Sequence, residues 1–261
     1  MRLSVSQACD KMPLVGKFEM HAHDNYEILC FLSGDAEYYV EGTRYTLHRG
    51  DVMVMRKSEF HHLILKSDKP YNRIVVNFDL PFIEHFDPNH KLLALFNDRP
   101  LGRGNHYSAK LFPNNHWEYY LNKMLLSSEE ELRIVFLLAL LGELRECFGT
   151  EAFSNSGERG ELISSVVHYI NENIAEELSL NSLCERFYLS KTHLNRLFKA
   201  ATGSTVWNYI MIKRLHRAHE LIAAGEAPTS VYIRCGFKDY TTFYRAYKKE
   251  FNTSPKNDMR Q

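Results

Sequence analysis

The spacing of the apolar residues changes once along the chain, near residue 88, and this change limits the folds that are possible. Before it, short stretches rich in β-branched, aromatic and aliphatic residues alternate with glycine-containing turns at intervals of about ten residues. Strands are predicted at residues 28–31, 37–40, 45–47, 52–55, 63–65 and 74–78. Many short strands at this interval predict an antiparallel barrel or sandwich, which we place at about residues 1–85.

The sequence after residue 88 has helical spacing. Helices are predicted at 88–96, 114–125 and 127–148. The last of these is apolar almost all round, so it needs burial on two sides. It lies either inside the N-terminal core or between that core and a second copy of the chain in a dimer, and the sequence leaves both arrangements open.

A polar stretch rich in serine and glycine predicts a linker at 149–160. The residues after it show only helical patterns. We therefore predict an α+β multidomain protein with an N-terminal domain at 1–148 (barrel about 1–85, helices about 88–148) and an all-α domain at 161–261.

Composition excludes several classes of protein. No uncharged apolar run reaches the ~18 residues that a membrane helix needs. The five cysteines include no Cys-x-x-Cys pair, and the first residues lack a basic segment followed by an apolar one. We expect no membrane association and a cytoplasmic location. Residues 160–261 carry 14 basic against 10 acidic residues, as is typical of a domain that binds nucleic acid.

The first of two helix-turn-helix patterns follows the linker. A short helix with Leu183 and Phe187 on its apolar face ends at a turn, and Ser190 can cap the next helix, 191–200. That helix turns Leu194 and Phe198 inward, while its other side carries basic and hydrogen-bonding groups and no acid. Such a face suits contact with DNA. The predicted DNA-binding residues here are Lys191, Thr192, Asn195, Arg196 and Lys199.

The second pattern begins at Pro228. Gly236 supplies a left-handed residue that ends a helix, and Asp239 can cap the next one, 240–251. Phe243 and Tyr247 are predicted to point inward. The predicted DNA-binding residues of this helix are Tyr240, Thr241, Tyr244, Arg245 and Lys248.

The two patterns together resemble the DNA-binding domain of the AraC/XylS family. The resemblance covers about 100 residues and rests on Leu-Ser-Lys-x-His-Leu-x-Arg-Leu-Phe-Lys (189–199), Thr202-Gly203, Arg214-Leu215, Ala218, Cys235-Gly236-Phe237-x-Asp239, Phe243-x-Arg245, Lys248-Lys249 and Ser254-Pro255. It implies a seven-helix double helix-turn-helix domain whose two recognition helices enter successive major grooves. It also implies a transcription regulator, usually an activator, with double-stranded DNA and RNA polymerase as partners and a homodimeric state. Asp258-Met259-Arg260 departs from the Tyr-Arg pair usual after Ser-Pro in that family.

The N-terminal half carries His21-x-His23-x-x-x-Glu27. Alternate residues of a strand point to one side, so these three side chains share a face if no bulge intervenes. Two imidazoles and a carboxylate can bind zinc, iron, manganese or nickel. The spacing resembles the first motif of the cupin barrels, and Gly50 followed by His61 resembles the second. The resemblance implies a cupin-like barrel in which His21, His23, Glu27 and His61 are the metal ligands.

Sensors of this kind attached to an AraC-type domain also bind organic ligands through similar histidines. An aromatic wall with a few polar groups suits a sugar or a related metabolite. The predicted effector-binding residues are therefore His21, His23, Glu27, Tyr38 and His61, with a possible divalent metal as cofactor. An alternative pocket would lie along Tyr38, Arg73 and Asn77.

Three functions agree with these patterns. The first is a transcription regulator that is controlled by a small molecule and has no catalytic activity; the resemblance implies an activator, as is usual in that family. The second is a cupin metalloenzyme fused to a DNA-binding domain, and the third is a regulator without a small ligand. No Ser-His-Asp, P-loop or dinucleotide-binding pattern supports another class of enzyme.

Overall fold

The computed structural model describes residues 3–13, 15–17, 20–112, 114, 116–149 and 161–259. The chain divides into two compact units, Met1–Arg159 and Gly160–Gln261. The predicted linker, 149–160, lies outside the described residues except for Gly149. No helix among the described residues is long and apolar enough to cross a membrane.

The N-terminal unit is built on two antiparallel sheets. One has the strand order β1-β8-β3-β6-β9 and the other β2-β7-β4-β5. The strands are β1 (Leu3–Asp10), β2 (Gly16–Lys17), β3 (Tyr26–Ser33), β4 (Ala36–Val40), β5 (Thr43–Thr46), β6 (Val52–Met55), β7 (His61–Leu65), β8 (Tyr71–Phe78) and β9 (His106–Tyr107). All the predicted strands are present; β1, β2 and β9 were not predicted individually. Pairing of β1 with β8 along its whole length places it at an edge of the larger sheet.

The larger sheet is buried on both faces. In β3, Leu29 and Phe31 pack between the two sheets, whereas Ile28 and Cys30 pack on the opposite side. Alternation along one strand therefore serves two separate cores. The side chain of Glu27 shares its side of β3 with Leu29, so the strand directs it between the sheets.

The opposite face of the larger sheet is covered by helices. These are α1 (Leu80–Ile83), α2 (Ala94–Asn97), α3 (His116–Leu126) and α4 (Glu130–Cys147). The prediction of a helix at 88–96 was wrong except for its last residues. The Asp87 carboxylate accepts hydrogen bonds from the backbone N–H groups of Lys91 and Leu92 at 2.8 and 2.7 Å, and His90 has a left-handed φ of 52°. These contacts stabilise turns instead of a helix.

Helix α4 contributes Leu137, Leu140, Leu141 and Leu144 to the core against the larger sheet. Leu132 and Val135, which are apolar residues of the same helix, are 45% and 57% exposed. A helix that is apolar almost all round carries no pattern that selects its buried side, so the sequence could not decide this.

A buried ion pair fastens the segment after α2 to the sheets. Arg99 donates hydrogen bonds to both carboxylate oxygens of Glu59, at 2.8 and 2.6 Å, and to the carbonyl oxygen of Val54. Asn105 and the backbone N–H of Gly102 donate to the same carboxylate. Burial raises the pKa of Glu59, but the charge and hydrogen bonds of Arg99 outweigh it and lower the pKa to about 2.

The C-terminal unit contains seven helices among residues 161–259. This agrees with the predicted all-α domain, so the predicted fold class is confirmed for both units. The helices are α5 (Glu161–Glu172), α6 (Leu180–Phe187), α7 (Lys191–Thr202), α8 (Val206–Ala223), α9 (Pro228–Arg234), α10 (Tyr240–Phe251) and α11 (Pro255–Asp258). Helix α8 contacts α7, α9, α10 and α11, so it joins the two helix-turn-helix units.

Arg214 on α8 links the segment between α5 and α6 to the turn after α9. Its guanidinium donates to the carbonyl oxygens of Ile174 and Glu176, which follow α5, and to that of Gly236, which follows α9. Gly236 has a φ of 82°, and a Cβ there would lie 2.7 Å from the guanidinium carbon of Arg214. Glycine is therefore required at this turn for both conformation and space.

Candidate functional site

The four residues predicted as one group in the N-terminal unit come together between the sheets. Glu27 lies on β3 in one sheet, and His61 begins β7 in the other. His21 forms an isolated antiparallel bridge with His61, and their backbones exchange hydrogen bonds of 3.1 and 3.0 Å. The ring centroids of His21, His23 and His61 lie 4.4–6.2 Å apart.

A tighter set consists of His23, Glu27 and His61, with one potential ligand atom of each within 4.8 Å of the others. His23 Nε2 lies 3.0 Å from Glu27 Oε2, and His61 Nε2 lies 3.8 Å from Glu27 Oε1. His21, predicted as a fourth ligand, is not in this set. It is exposed and lines the neighbouring cavity.

The second nitrogen of two of these histidines is bonded to the backbone. His61 Nδ1 lies 2.8 Å from the carbonyl oxygen of Glu59, and His23 Nδ1 lies 3.0 Å from that of Asn25. A carbonyl oxygen only accepts, so each Nδ1 carries the hydrogen and donates it. Both Nε2 atoms are thereby directed at the Glu27 carboxylate, which also only accepts when ionised. A proton or a cation between these atoms removes the conflict, and a backbone acceptor on the far nitrogen is typical of metal-bound histidines.

The charges within the set are coupled. Burial lowers the pKa of His23, but its hydrogen bond to Glu27 and the charge of that carboxylate raise it more, so the net shift is upward. Burial raises the pKa of Glu27, while the hydrogen bond from His23 and the nearby histidines lower it to a greater extent. Burial lowers the pKa of His61 to about 4. A neutral imidazole beside a carboxylate forms a donor pair that divalent transition metals accept.

A cavity of about 170 Å³ adjoins this set. Tyr38, a predicted effector residue, lines it and donates a 3.5 Å hydrogen bond to Glu27 Oε1. Asn77, named in the alternative pocket, does not line it. The described residues that line it are His21, Glu27, Leu29, Tyr38, Leu63, Tyr71, Arg73 and Val75.

Leu29, Leu63, Tyr71 and Val75 of this lining were not predicted from the sequence, and Arg73 was predicted only for the alternative pocket. The alternation of β8 could have identified the β8 residues of this lining. Tyr71, Arg73 and Val75 share one side of the strand, whereas Ile74 and the following alternate residues share the other.

In the C-terminal unit, α7 presents its predicted DNA-binding residues to solvent. The Ser190 hydroxyl caps the helix by accepting from His193 N–H at 3.3 Å, and Leu194 and Phe198 are buried. The exception is Asn195, which is half-buried and accepts a 3.3 Å hydrogen bond from the backbone of Val206. The exposed residues are Lys191, Thr192, Arg196 and Lys199.

Helix α10 repeats this arrangement. The Asp239 carboxylate caps it by accepting from Thr242 N–H at 2.7 Å, and Phe243 and Tyr247 are buried. Tyr240 is half-buried, with its ring 5.5 Å from that of Tyr232, so part of this side chain belongs to the core. The exposed predicted residues are Thr241, Tyr244, Arg245 and Lys248.

Comparison with known proteins matches both units. Residues 183–261 match a family model described as a helix-turn-helix domain, and residues 16–88 match one described as an AraC-like ligand binding domain. The HTH-type transcriptional activator RhaS of Escherichia coli O81 (strain ED1a) is 27% identical over 257 residues, covering 94% of this chain and 88% of RhaS.

Two solved structures are also similar. ToxT from Vibrio cholerae is 12% identical, with a TM-score of 0.44, over 99% of this chain and 98% of ToxT. A protein of unknown function from Listeria innocua is 27% identical, with a TM-score of 0.36, over 38% of this chain and 94% of its own.

A helix-turn-helix domain and a ligand-binding domain in one chain define a DNA-binding transcription regulator that is controlled by a small molecule. The two matched ranges together span more than half of the sequence. The chain belongs to the AraC/XylS family of transcription regulators, as the resemblance predicted.

Proposed function

We propose that this chain is a transcription activator that binds specific DNA sequences through α7 and α10. The observation that carries the proposal is the pair of capped helices whose exposed faces bear basic and hydrogen-bonding side chains, with no acidic residue anywhere in α7. Arginine on such a face can form two hydrogen bonds to guanine, and lysine can contact phosphate. The similarity to RhaS, which is named a transcriptional activator, supports the sign of regulation. Double-stranded DNA and RNA polymerase are the proposed macromolecular partners, in the cytoplasm, and we assign the chain no catalytic role.

The helical face of the N-terminal unit supports a homodimer. Tyr119 on α3 and Val135 on α4 are 54% and 57% exposed, and Leu126 and Leu132 are also exposed. The N-terminal unit itself thus leaves apolar side chains of two neighbouring helices exposed to solvent. Pairing with a second copy would bury them.

The set of His23, Glu27 and His61 fits a divalent metal, because both Nε2 atoms face an acceptor while both Nδ1 atoms donate to the backbone. When bound, such a cation supplies a Lewis-acidic centre that can accept an oxygen atom of an effector. The same observation favours the second candidate, a cupin metalloenzyme fused to a DNA-binding domain. Elemental analysis of the purified chain tests the metal, with Glu27→Gln and His61→Asn expected to lose it and His48→Asn, an exposed control, to retain it.

Selection from a random library of duplex DNA tests the proposed function. The purified full chain is expected to enrich a discrete sequence, whereas a variant with both Arg196→Ala and Arg245→Ala is expected to enrich none. Placing the enriched sequence upstream of a reporter gene then reads the sign of regulation. Recovery of unselected sequences by the unchanged chain would contradict sequence-specific binding.

A further inference from the structure

Arg73 brings a positive charge into the cavity of the N-terminal unit. It lies on β8, which is hydrogen-bonded to β1 on one side and to β3 on the other. Ile74 and Val76 of the same strand pack in the core that faces the helices, while Tyr71, Arg73 and Val75 line the cavity. The pairing of β8 on both sides fixes this orientation, because a slip of one residue would reverse every side chain.

The guanidinium is held by an aromatic ring and not by an acid. Its carbon lies 4.6 Å from the centroid of the buried Tyr71 ring. Among the described residues, no carboxylate oxygen lies within 4.0 Å of Arg73. Arg99 in the same unit contrasts with it, since Glu59 neutralises that buried guanidinium at 2.6 Å. Arg99 is therefore structural, whereas Arg73 has no such carboxylate partner among the described residues and lines the cavity.

Glu27 is the one carboxylate in the described part of the cavity lining, and it is already engaged. Glu27 contacts His23 at 3.0 Å and His61 at 3.8 Å, and it accepts a hydrogen bond from Tyr38. Among the described residues, the lining therefore offers no further carboxylate to neutralise the positive charge of Arg73. A guanidinium provides paired N–H donors whose geometry matches a carboxylate.

We propose that the effector of this regulator is a small organic acid whose carboxylate pairs with Arg73. This rests on the proposal that the cavity is the effector site. The body of the acid lies against the Tyr71 and Tyr38 rings, and a hydroxyl or keto oxygen reaches His21. The sequence favoured a sugar or a related metabolite; a neutral sugar would leave Arg73 without a counter-charge. The cavity volume of about 170 Å³ is below the ~300 Å³ at which sites for drug-sized molecules begin, so the acid is small.

Binding measurements on the full chain test this class of ligand. Acetate, glycolate, lactate, pyruvate, malonate and succinate are compared with their neutral amides and with neutral pentoses and hexoses, first by thermal shift and then by calorimetry. At least one acid is expected to bind while its amide does not. Arg73→Gln is expected to lower the affinity for that acid at least about tenfold, because a charged hydrogen bond is lost. Arg73→Lys keeps the charge without the paired donors and is expected to lower the affinity less. Lys69→Gln removes one exposed positive charge from the turn before β8 and is expected to change nothing.

Other outcomes overturn the proposal in distinguishable ways. Binding of sugars or amides as tight as that of acids excludes an organic acid but leaves small-molecule control intact. Acid binding that survives Arg73→Gln and is lost in His61→Asn places the carboxylate at the histidine set instead. If no compound binds while DNA selection succeeds, the acid is excluded and the DNA-binding function stands.

Discussion

The charged residues of the ion pair and of the histidine set are buried in the N-terminal unit. The arginines of the proposed DNA-binding helices in the C-terminal unit are exposed. Glu27, Glu59 and Arg99 are each less than 10% exposed, and each has a partner of opposite charge or a histidine. Arg196 and Arg245 stand on exposed helix faces. A buried charge is tolerated only where the fold supplies its partner, whereas an exposed one needs only a helix that points it outward. The two units should therefore respond differently to the loss of a charge.

The largest expected effect is the loss of a buried partner. Arg99→Met removes the hydrogen-bonded counter-charge of the buried Glu59 and leaves it only Arg56, at 3.9 Å, so the free energy of unfolding of the N-terminal unit should fall by about 3–5 kcal/mol. The chain has two tryptophans, Trp117 and Trp207, one in each unit. Denaturation followed by Trp117 fluorescence in a Trp207→Phe background reports on the N-terminal unit. A loss below about 1 kcal/mol would show that this buried pair is not essential to the unit.

A matched control exists in the same unit. Arg44 lies 3.4 Å from Glu37, and its side chain is 39% exposed. Arg44→Met is expected to change the free energy of unfolding by less than about 1 kcal/mol. Equal losses from Arg44→Met and Arg99→Met would remove the distinction between buried and exposed charge.

The same ion pair predicts a dependence on acid. The pKa of Glu59 in the folded unit, about 2, lies below its ordinary value, so its stabilising contribution is present above about pH 4.5 and is lost as the pH falls towards 2. The slope of stability against pH in this window should reach up to about 1.4 kcal/mol per pH unit from this group. Glu59→Gln should reduce the slope, to which Glu27 and Asp51 also contribute because their pKa values are lowered, while the exposed control Glu84→Gln should keep it. Trp117 denaturation curves between about pH 2 and 5 measure the slope. A slope identical in all three proteins would contradict this assignment.

Replacing the exposed arginines of α7 and α10 is expected to lower the affinity for DNA and not the stability. Arg196→Ala and Arg245→Ala should each weaken binding to the selected sequence by about 1–3 kcal/mol while leaving the unfolding curve unchanged. Titration of the duplex and of single-base variants measures both affinity and preference. Arg234→Ala, which removes an exposed arginine of α9 paired with Glu226, should keep the sequence preference. Unchanged affinity and preference in the first two variants would exclude α7 and α10 as the recognition helices.

The smallest expected effect is at a helix cap in the C-terminal unit. Ser190→Ala removes the acceptor for the His193 N–H and should cost about 1 kcal/mol of stability. Trp207 fluorescence in a Trp117→Phe background measures it. Ser230→Ala, whose exposed hydroxyl bonds the carbonyl of Ala227 within the first turn of α9, serves as the control and should cost less. A cost at Ser190 no greater than at Ser230 would show that the cap does not determine where α7 begins.

Elements that depend on local sequence were predicted well. The caps Ser190 and Asp239 act on residues three positions further along the chain, so the sequence pattern alone contains them. The same holds for the strands recognised from alternation. The prediction at 88–96 failed because one side chain, Asp87, bonds two backbone N–H groups and outweighs the helical spacing. The buried side of α4 could not be predicted, because the helix carries its own apolar residues on nearly every side.

The sequence by itself determined the fold class, the family and the outward faces of α7 and α10. Helical periodicity and turn conformation depend on residues only a few positions apart, so a short stretch of sequence contains them. It also grouped His21, His23, Glu27 and His61. Only the tertiary structure decided that His21 stands apart from the tighter set. Only the tertiary structure could pair Glu59 with Arg99, 40 residues away, or place Arg73 in the cavity that holds Glu27. Such contacts follow from strand register and from the packing of one sheet on another, which no short stretch of sequence encodes.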